Sequence, residues 1–325
     1  MGSCRGLSLM SGGLDSQLAV RVLQRAGADV EAVTFVTPFF KSREAEKASA
    51  ALGVKLHVID FTEDEIALVE NPPHGFGGAM NPCIDCHATM IRRAGELMTR
   101  LGYDCVATGE VQGQRPMSQN RQSMRTVEKS SGLAGRLVRP LSAKLLEPTI
   151  PEVEGKLDRE RLLDLSGRGR ERQIALAAEF GIVDYPSPAG GCKLTEDAYG
   201  RKLRDLKEHE GLRLPASDAA TPGAANRVLL ELLSVGRRFR LPGGTSVILG
   251  RDGRENQLLK GVFADSPAAL GARPEIIVPN RPGPTALLPN LASPDDLELA
   301  RALVAAYVRG TTEADRLPFK PWQLT

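Results

Sequence analysis

Residues 8–19, SLMSGGLDSQLA, place two glycines, two serines and an aspartate between an apolar run and an amphipathic stretch. Short apolar runs occur at residues 6–10 and 30–36, and the second is rich in β-branched and aromatic side chains, which favours a strand. Between these runs, apolar residues recur at helical spacing up to Gly27, a residue typical of helix C-termini. The sequence therefore predicts strand, helix and strand, with a glycine-rich turn after the first strand.

The same alternation continues along the chain. Residues 43–53 have helical periodicity, as does a longer stretch from about His87 to Leu101, whereas residues 54–60 and 103–109 indicate strands. Alternation of this kind predicts an α/β fold: a doubly wound parallel sheet with helices on both faces and a ligand at the carboxyl ends of the strands. Residues 158–181 are predicted to form two further helices, and another helix is expected after Thr195.

A change of composition divides the chain in two. Residues 211–224 are rich in Pro, Ala and Gly, which predicts a linker between a domain at 1–210 and a smaller α+β domain at 225–325. In the second domain, residues 237–259 indicate strands and turns. Residues 293–308 predict a helix with Ser293 as its N-cap.

Composition limits the possible classes of protein. The chain has 325 residues, 42% hydrophobic and 25% charged, and contains no unbroken apolar stretch of the roughly 18 residues that a membrane span needs. The start, MGSCRG, lacks the apolar core of a signal peptide, so we expect a cytoplasmic protein with no membrane segment. Five cysteines are an odd number in a large chain, which favours metal or sulfur chemistry over a disulfide framework.

The turn after the first strand has the residues of an anion-binding loop. Its glycines let the backbone approach a phosphate, and the start of the following helix adds positive potential. Ser11 and Ser16 can donate hydrogen bonds, and Asp15 can hold Mg²⁺ that the phosphates also ligate. The lysine of a P-loop is missing. A simple strand-to-helix turn with a Ser/Asp cap is the alternative, and it accounts for the glycines alone.

The hexapeptide SGGLDS resembles the signature of the PP-loop ATP pyrophosphatase superfamily, whose members cleave ATP between the α and β phosphates and transfer AMP to an oxygen of the substrate. The resemblance implies that ATP is the cofactor. It places the adenine beside Thr34 and Phe35, at the end of the second predicted strand. It assigns the pyrophosphate part of ATP to five loop residues: Ser11, Gly12, Gly13, Asp15 and Ser16.

Three cysteines lie in loops flanked by Pro or Gly: Cys83 and Cys86 in NPCIDC, and Cys192 in GGCKLT. This context suits reactive or ligating thiolates, and the position of Cys86 near a helix start predicts a lowered pKa. An iron–sulfur cluster on three thiolates needs no further ligand and ranks first. A persulfide-carrying cysteine pair ranks second. Structural zinc completed by His87 or His74 ranks third.

The cysteine blocks sharpen the resemblance. NPCIDC, VATGE and GGCKLT are similar to blocks of the tRNA 2-thiouridylases and 4-thiouridine synthases, over roughly residues 5–200. This resemblance implies a tRNA substrate, a sulfide or persulfide-carrier donor, and catalytic roles for Asp15 and the three cysteines. It adds Gly109 to the ATP site. The chain departs from the family at Glu110, where a histidine is common.

Basic residues cluster in two places. From Gln112 to Lys144 there are seven basic residues against one acid, which is either a solvated surface or a phosphate-binding one. Near the C-terminus, VILGRDGRENQLLKGVF resembles the RNA-binding module of NFACT proteins. Together they imply RNA contacts at four arginines: Arg121, Arg125, Arg251 and Arg254.

The sequence thus predicts an enzyme that adenylates a uridine carbonyl of tRNA and replaces its oxygen with sulfur. Mg²⁺ on Asp15, the loop amides and Arg139 or Lys144 are expected to stabilise the phosphates. The predicted cofactors are ATP, Mg²⁺ and a [4Fe-4S] cluster ligated by Cys83, Cys86 and Cys192, with zinc or no metal as alternatives. Three alternatives are left open: thiolation through a cysteine pair, a small-molecule ligase with structural zinc, and a non-enzymatic RNA-binding factor that senses ATP through a degenerate loop.

Overall fold

The computed structural model describes residues 3–115, 118–187, 192–214 and 223–324. The chain divides into two compact units. The first takes the residues up to Gly77 and those from Asn81 to Cys192. The second takes Gly78–Met80 and the residues from Lys193 onward. The predicted boundary near residue 210 stays a prediction, and most of the linker expected at 211–224 lies outside the described residues.

The first unit is built on a parallel sheet, as the sequence predicts. Its strand order is β3-β2-β1-β4-β5, and every paired neighbour runs parallel. Strands are added on both sides of β1, which is the arrangement of a doubly wound fold. The strands are β1 (Arg5–Leu9), β2 (Asp29–Val36), β3 (Leu56–Asp60), β4 (Cys105–Ala107) and β5 (Leu137–Val138).

Helices cover both faces of this sheet because successive strand residues point to opposite sides. Leu7 and Val33 pack with one set of helices, whereas Val30 and Ala32 pack with the other. One face carries α1, α2 and α7, and the opposite face carries α3, α4 and α5. The helices are α1 (Leu14–Arg25), α2 (Arg43–Leu52), α3 (Thr62–Glu70), α4 (Cys83–Leu101), α5 (Arg121–Ser131), α6 (Ile150–Val153) and α7 (Glu171–Glu179).

Three details differ from the sequence prediction. Helix α4 begins at Cys83, one turn before the expected start, so both cysteines of the pair lie on it. Helix α3 was not predicted. The first of the two helices expected within 158–181 is wrong: only a 3₁₀ turn forms at Arg159–Arg161, because the Asp158 side chain caps a single turn by accepting from the amide of Glu160.

The second unit has a four-stranded antiparallel sheet of order β6-β7-β9-β8, which confirms a smaller α+β domain. Helix α12 packs on one face of it, with Leu303 and Val304 against Phe239 and Val247. The predicted N-cap is confirmed, since the Ser293 hydroxyl accepts from a backbone amide. The elements are α8 (Asp197–His209), α9 (Arg227–Leu232), β6 (Arg237–Arg240), β7 (Ser246–Leu249), α10 (Gly253–Asp265), α11 (Pro267–Leu270), β8 (Glu275–Ile277), β9 (Ala286–Leu288) and α12 (Pro294–Ala306).

Among the residues that the structure describes, none of the helices combines the length and the apolar character that crossing a membrane requires.

Candidate functional site

The glycine-rich turn fits closely against its neighbours. Gly12 has φ +85°, and a Cβ there would lie 2.4 Å from the backbone carbonyl of Glu44 on α2. Gly13 is the N-cap of α1. A side chain at Gly12 is excluded both by the left-handed backbone conformation and by the lack of space. The loop therefore brings bare backbone to the start of α1, where the helix potential favours an anion.

Hydrogen bonds hold this loop in one shape. The Ser16 hydroxyl donates to the Gly13 carbonyl at 2.8 Å, and the Gly13 amide donates to the Ser11 hydroxyl at 3.3 Å. Gln17, which is buried, donates from Nε2 to the carbonyl of Gly12 at 2.9 Å. These hydrogen bonds fix the shape of the loop, which lowers the cost of ordering it around a phosphate.

The two carboxylate oxygens of Asp15 differ in their hydrogen bonding. Its Oδ2 accepts from Gln114 Nε2 at 2.8 Å. Its Oδ1 is buried and has no hydrogen-bond partner among the residues that the structure describes, and Arg170 lies 3.9 Å away. A buried oxygen without a partner is costly unless a cation or donor meets it. This geometry fits the predicted Mg²⁺ ligand.

Gly109 follows the end of β4 and meets the same loop. A Cβ on Gly109 would lie 2.6 Å from the backbone carbonyl of Asp15 and 2.7 Å from the amide of Ser16. Only glycine allows the end of β4 to come this close to the first turn of α1.

The residues predicted beside the adenine lie on β2. Thr34 and Phe35 are both buried, and the Phe35 ring packs edge-on against Phe61 at 5.3 Å between centroids. The loop is tied to this strand, because the Met10 amide donates to the Val33 carbonyl at 2.8 Å. Their role towards adenine stays a prediction.

Arg139 is held in a buried network. Its Nε donates to Glu110 Oε2 at 2.9 Å, and its two terminal nitrogens donate to Glu128 at 2.8 Å and to the Met124 carbonyl at 2.9 Å. Each nitrogen of the guanidinium is thus in use, so these contacts do not favour the predicted phosphate role. Lys144 donates to the Glu160 carbonyl at 2.8 Å and remains a prediction.

Cys83 and Cys86 lie on the first turn of α4, and a buried carboxylate from α3 meets them. The Cys86 thiol donates to Glu65 Oε2 at 3.1 Å. Glu65 is fully buried, and burial raises the pKa of its carboxyl to about 7. Its second oxygen, Oε1, has no hydrogen-bond partner in the described part of the chain. The cysteine site therefore contains an orphaned acceptor beside Cys86.

The expected lowering of the Cys86 pKa is wrong. Burial and the neighbouring Glu65 carboxylate raise the pKa of Cys86 well above its ordinary value, and the nearby Cys192 and Cys83 add to that rise. Burial also raises the pKa of Cys83, against hydrogen bonds from Asn81 and Ser118 that lower it. Desolvation thus outweighs the helix potential at both thiols.

Cys83 and Cys192 both act electrostatically on Cys86, so the two thiols lie in its neighbourhood. Cys192 lies directly after residues 188–191, which are outside the described part of the chain. Cys4 and Cys105 form a separate buried pair, with their sulfurs 3.8 Å apart. Within the described residues, no three or more His, Cys, Asp or Glu side chains are grouped so as to hold a metal ion.

Both histidines considered as zinc ligands have carboxylate partners. His74 Nδ1 lies 2.6 Å from Asp85 Oδ1, and its backbone amide donates to the other oxygen. His87 Nδ1 lies 3.5 Å from Glu110 Oε1. Burial alone would raise the pKa of Glu110, but Arg139 and His87 outweigh it and lower this pKa to about 2.

These contacts link the two sites. Glu110 follows Gly109, which touches the phosphate loop, and His87 follows Cys86 on α4. The His87–Glu110 contact therefore joins the cysteine helix to the strand end beside Asp15.

The four arginines predicted to contact RNA differ in their surroundings. Arg121 and Arg125 are exposed on α5, and Arg254 is exposed on α10. Arg251 is paired with Glu255, with Nε at 2.9 Å from Oε1, and this pairing lowers the pKa of Glu255 to about 2. Its charge is largely neutralised within the turn.

The rest of the block around Arg251 is structural. Asn256 Oδ1 accepts from the Thr285 amide at 2.9 Å, next to β9. A Cβ on Gly250 would lie 2.2 Å from that same oxygen. Gly250 and Asn256 therefore fix the β7–α10 turn to the sheet.

Sequence reasoning missed Glu65, Gln114 and Arg170. Glu65 carried a signal: it falls on the apolar face of α3 with Ile66 and Val69, where a charged side chain is unusual. Gln114 and Arg170 lie far from Asp15 in sequence and carry no local signal.

Two family models match this chain: the thiamine biosynthesis protein (ThiI) model over residues 2–144, and the NFACT protein RNA binding domain over residues 236–318. They confirm the resemblance inferred from the sequence for both segments. Similar curated proteins include a probable tRNA sulfurtransferase of Geobacillus kaustophilus, 28% identical over 43% of this chain and 35% of the relative. A probable tRNA sulfurtransferase of Ureaplasma parvum is 29% identical over 60% of this chain and 50% of the relative.

The tRNA-specific 2-thiouridylase MnmA of Syntrophotalea carbinolica is 34% identical over 32% of this chain and 33% of the relative. The chain thus spans a third to a half of the length of these relatives. Among solved structures, a 4-thiouridine synthetase–RNA complex with bound ATP aligns at TM-score 0.35 and 20% identity, over 55% of this chain and 52% of that one. A predicted tRNA methyltransferase subunit from Methanocaldococcus jannaschii aligns at TM-score 0.36 and 19% identity, over 54% and 76%.

Proposed function

We propose that this chain, with a ThiI-type segment at residues 2–144 and an NFACT-type segment at 236–318, catalyses ATP-dependent thiolation of a uridine in tRNA. The observation that carries the proposal is that a phosphate-binding loop and a cysteine site lie in the same unit and are linked by direct contacts. A preorganised phosphate loop and a three-cysteine site are connected through Gly109, Glu110 and His87. The reaction needs both, because a carbonyl oxygen leaves only after activation and sulfur must then be supplied.

The phosphate loop would carry out the activation. The amides at the start of α1 and the hydroxyls of Ser11 and Ser16 bind the pyrophosphate part of ATP, and the open Asp15 Oδ1 binds Mg²⁺. The uridine carbonyl oxygen attacks the α-phosphorus, the bond to the β-phosphate oxygen breaks, and pyrophosphate leaves. The resulting adenylated oxygen departs later as AMP.

The cysteine site would supply sulfur. Cys83, Cys86 and Cys192, three soft donors that act on one another, would hold the proposed iron–sulfur cluster, although the described side chains are not arranged as a metal site in this structure. When bound, such a cluster supplies a coordination position for a sulfur species. The protein's own part is to bury the thiols and keep water from the activated carbon. A persulfide on a cysteine pair is the alternative mechanism.

We do not propose the small-molecule ligase with structural zinc. The RNA substrate is supported instead by the NFACT match and by the exposed arginines of α5. The sulfur donor is proposed to be sulfide or a persulfide carrier protein.

The test is Asp15→Ala, assayed for tRNA-dependent AMP formation and for thiouridine by nucleoside mass spectrometry. We expect both to be lost, because the variant removes the metal's anchor. Asp29→Ala is the matched control. Asp29 is exposed and begins β2, at the amino ends of the strands, whereas the phosphate loop lies at their carboxyl ends, so its loss should leave both products unchanged. AMP formed by Asp15→Ala at the normal rate would refute the role given to the loop.

A further inference from the structure

A cleft of about 390 Å³ lies between α5 and the segment that follows it. Its volume is within the range of small-molecule sites, roughly 300–1,000 Å³. Its lining combines three exposed cations of α5 with apolar side chains from several elements. The residues that concern the argument are Arg121, Arg125, Lys129, Ala134 and Leu146.

The cations form a row along one side of α5. Arg121, Arg125 and Lys129 are four residues apart, which places successive side chains about 6 Å apart along the helix. All three are exposed, and no ion pair is found for them within the described residues. The row therefore offers three uncompensated positive charges over about 12 Å.

The acids that line the same cleft are largely committed elsewhere. Glu128 accepts from Arg139, and Glu152 pairs with Arg159. Glu147 is the lining acid that stays exposed without such a pair among the described residues. The cleft thus keeps a positive rim over an apolar floor.

The row starts at the cysteine site. Ser118 hydrogen-bonds to Cys83, and the charge of Arg115 acts on the same thiol. Two residues after Ser118, the Asn120 side chain caps α5 by accepting from the Ser123 amide at 2.9 Å. Helix α5 therefore leads away from the sulfur chemistry, with its cations in line.

We infer that this cleft binds a nucleotide of the RNA strand next to the uridine that is modified. The base lies against Leu146 and Ala134, the accessible apolar side chains of the lining, and successive phosphates lie along the cation row. A row of about 12 Å suits several phosphates of a strand better than the single phosphate of a free nucleotide. The inference rests on the proposed function for the identity of the substrate and adds where its strand runs.

Two variants test separately how the cation row and the apolar floor of the cleft contribute to tRNA binding. The triple variant Arg121→Ala, Arg125→Ala, Lys129→Ala should weaken tRNA binding and reduce the slope of log K against log salt by about 2, since each single-strand phosphate contact contributes about 0.7. Ala134→Trp, at an exposed position of the lining, should weaken binding about tenfold by filling the cleft, with the salt slope unchanged. Arg100→Ala, an exposed arginine at the far end of α4, is the charge control and should bind normally.

The measurement is tRNA affinity of the full chain at several salt concentrations, with thermal unfolding to confirm folding of each variant. Wild-type affinity and slope in the triple variant, or wild-type affinity in Ala134→Trp, would overturn the inference. Uridine monophosphate competing as well as an RNA oligonucleotide would overturn it in favour of a free nucleotide. Failure of the wild-type protein itself to bind tRNA would instead refute the proposed substrate.

Discussion

Glu110→Gln tests the buried network that holds the two sites together. Glu110 is almost fully buried, and its Oε2 accepts from Arg139 Nε at 2.9 Å. The pKa of Glu110 falls from 4.5 to about 2. That difference corresponds to about 3 kcal/mol of stabilisation of the charged form, which agrees with the roughly 3–5 kcal/mol lost when one partner of a buried pair is removed. We therefore expect Glu110→Gln to lower the free energy of unfolding at pH 7 by about 3 kcal/mol.

The pH dependence gives a second, independent readout. A carboxyl whose pKa is depressed in the folded state stabilises fully above its unfolded pKa of about 4.5, and this stabilisation is lost as the pH falls towards 2. The difference in free energy of unfolding between wild type and Glu110→Gln should therefore decrease by about 1 kcal/mol from pH 7 to pH 3.5.

Urea unfolding of both proteins at pH 7 and pH 3.5 measures this difference in free energy of unfolding. Glu128→Gln is the control, because Glu128 holds the same guanidinium from a partly exposed position and should cost much less. A loss below about 0.5 kcal/mol for Glu110→Gln, or a gap that does not change with pH, would refute this reasoning.

Two further predictions concern the loop and the RNA-binding segment. Gly109→Ala should abolish ATP binding, measured by calorimetry, because its Cβ would lie 2.6 Å from the Asp15 carbonyl. Gly261→Ala should not change ATP binding, because its Cβ would meet no described atom within 4 Å apart from the backbone of its own helix. Arg254→Ala should lower the salt slope of tRNA binding by about 0.7–0.9, whereas Arg251→Ala should lower it less, because Glu255 already pairs with that charge. Equal slopes for the two variants would contradict the pairing argument.

Local patterns in the sequence predicted most of the N-terminal fold. The glycines at 12 and 13 and the alternation of apolar runs are properties of a few neighbouring residues, and the structure has the loop and the parallel sheet where they indicate. Cys83 and Cys86 were expected in a loop ahead of the helix, but they lie on its first turn because α4 begins at Cys83.

Properties that depend on distant residues could not be predicted. The pKa of Cys86 was expected to fall because the sequence shows a helix start, but it rises because Glu65 and the surrounding core bury the thiol. Arg139 was assigned to phosphate because it lies in a basic segment, yet Glu110 and Glu128 engage it across the fold. The pairing of Arg139 with Glu110 needs a carboxylate at position 110.

The central claim is that activation by ATP and sulfur transfer at three cysteines occur in one enzyme. Its most direct test is nucleoside mass spectrometry of tRNA incubated without oxygen with ATP, a sulfur donor and the protein, together with iron analysis. We predict thiouridine with equimolar AMP, about four irons per chain, and loss of both iron and thiouridine in each of Cys83→Ala, Cys86→Ala and Cys192→Ala. Cys4→Ala and Cys105→Ala, which alter the separate buried pair, should retain both. Thiouridine formed by the wild type without AMP, or formed equally well by the three variants, would contradict the account.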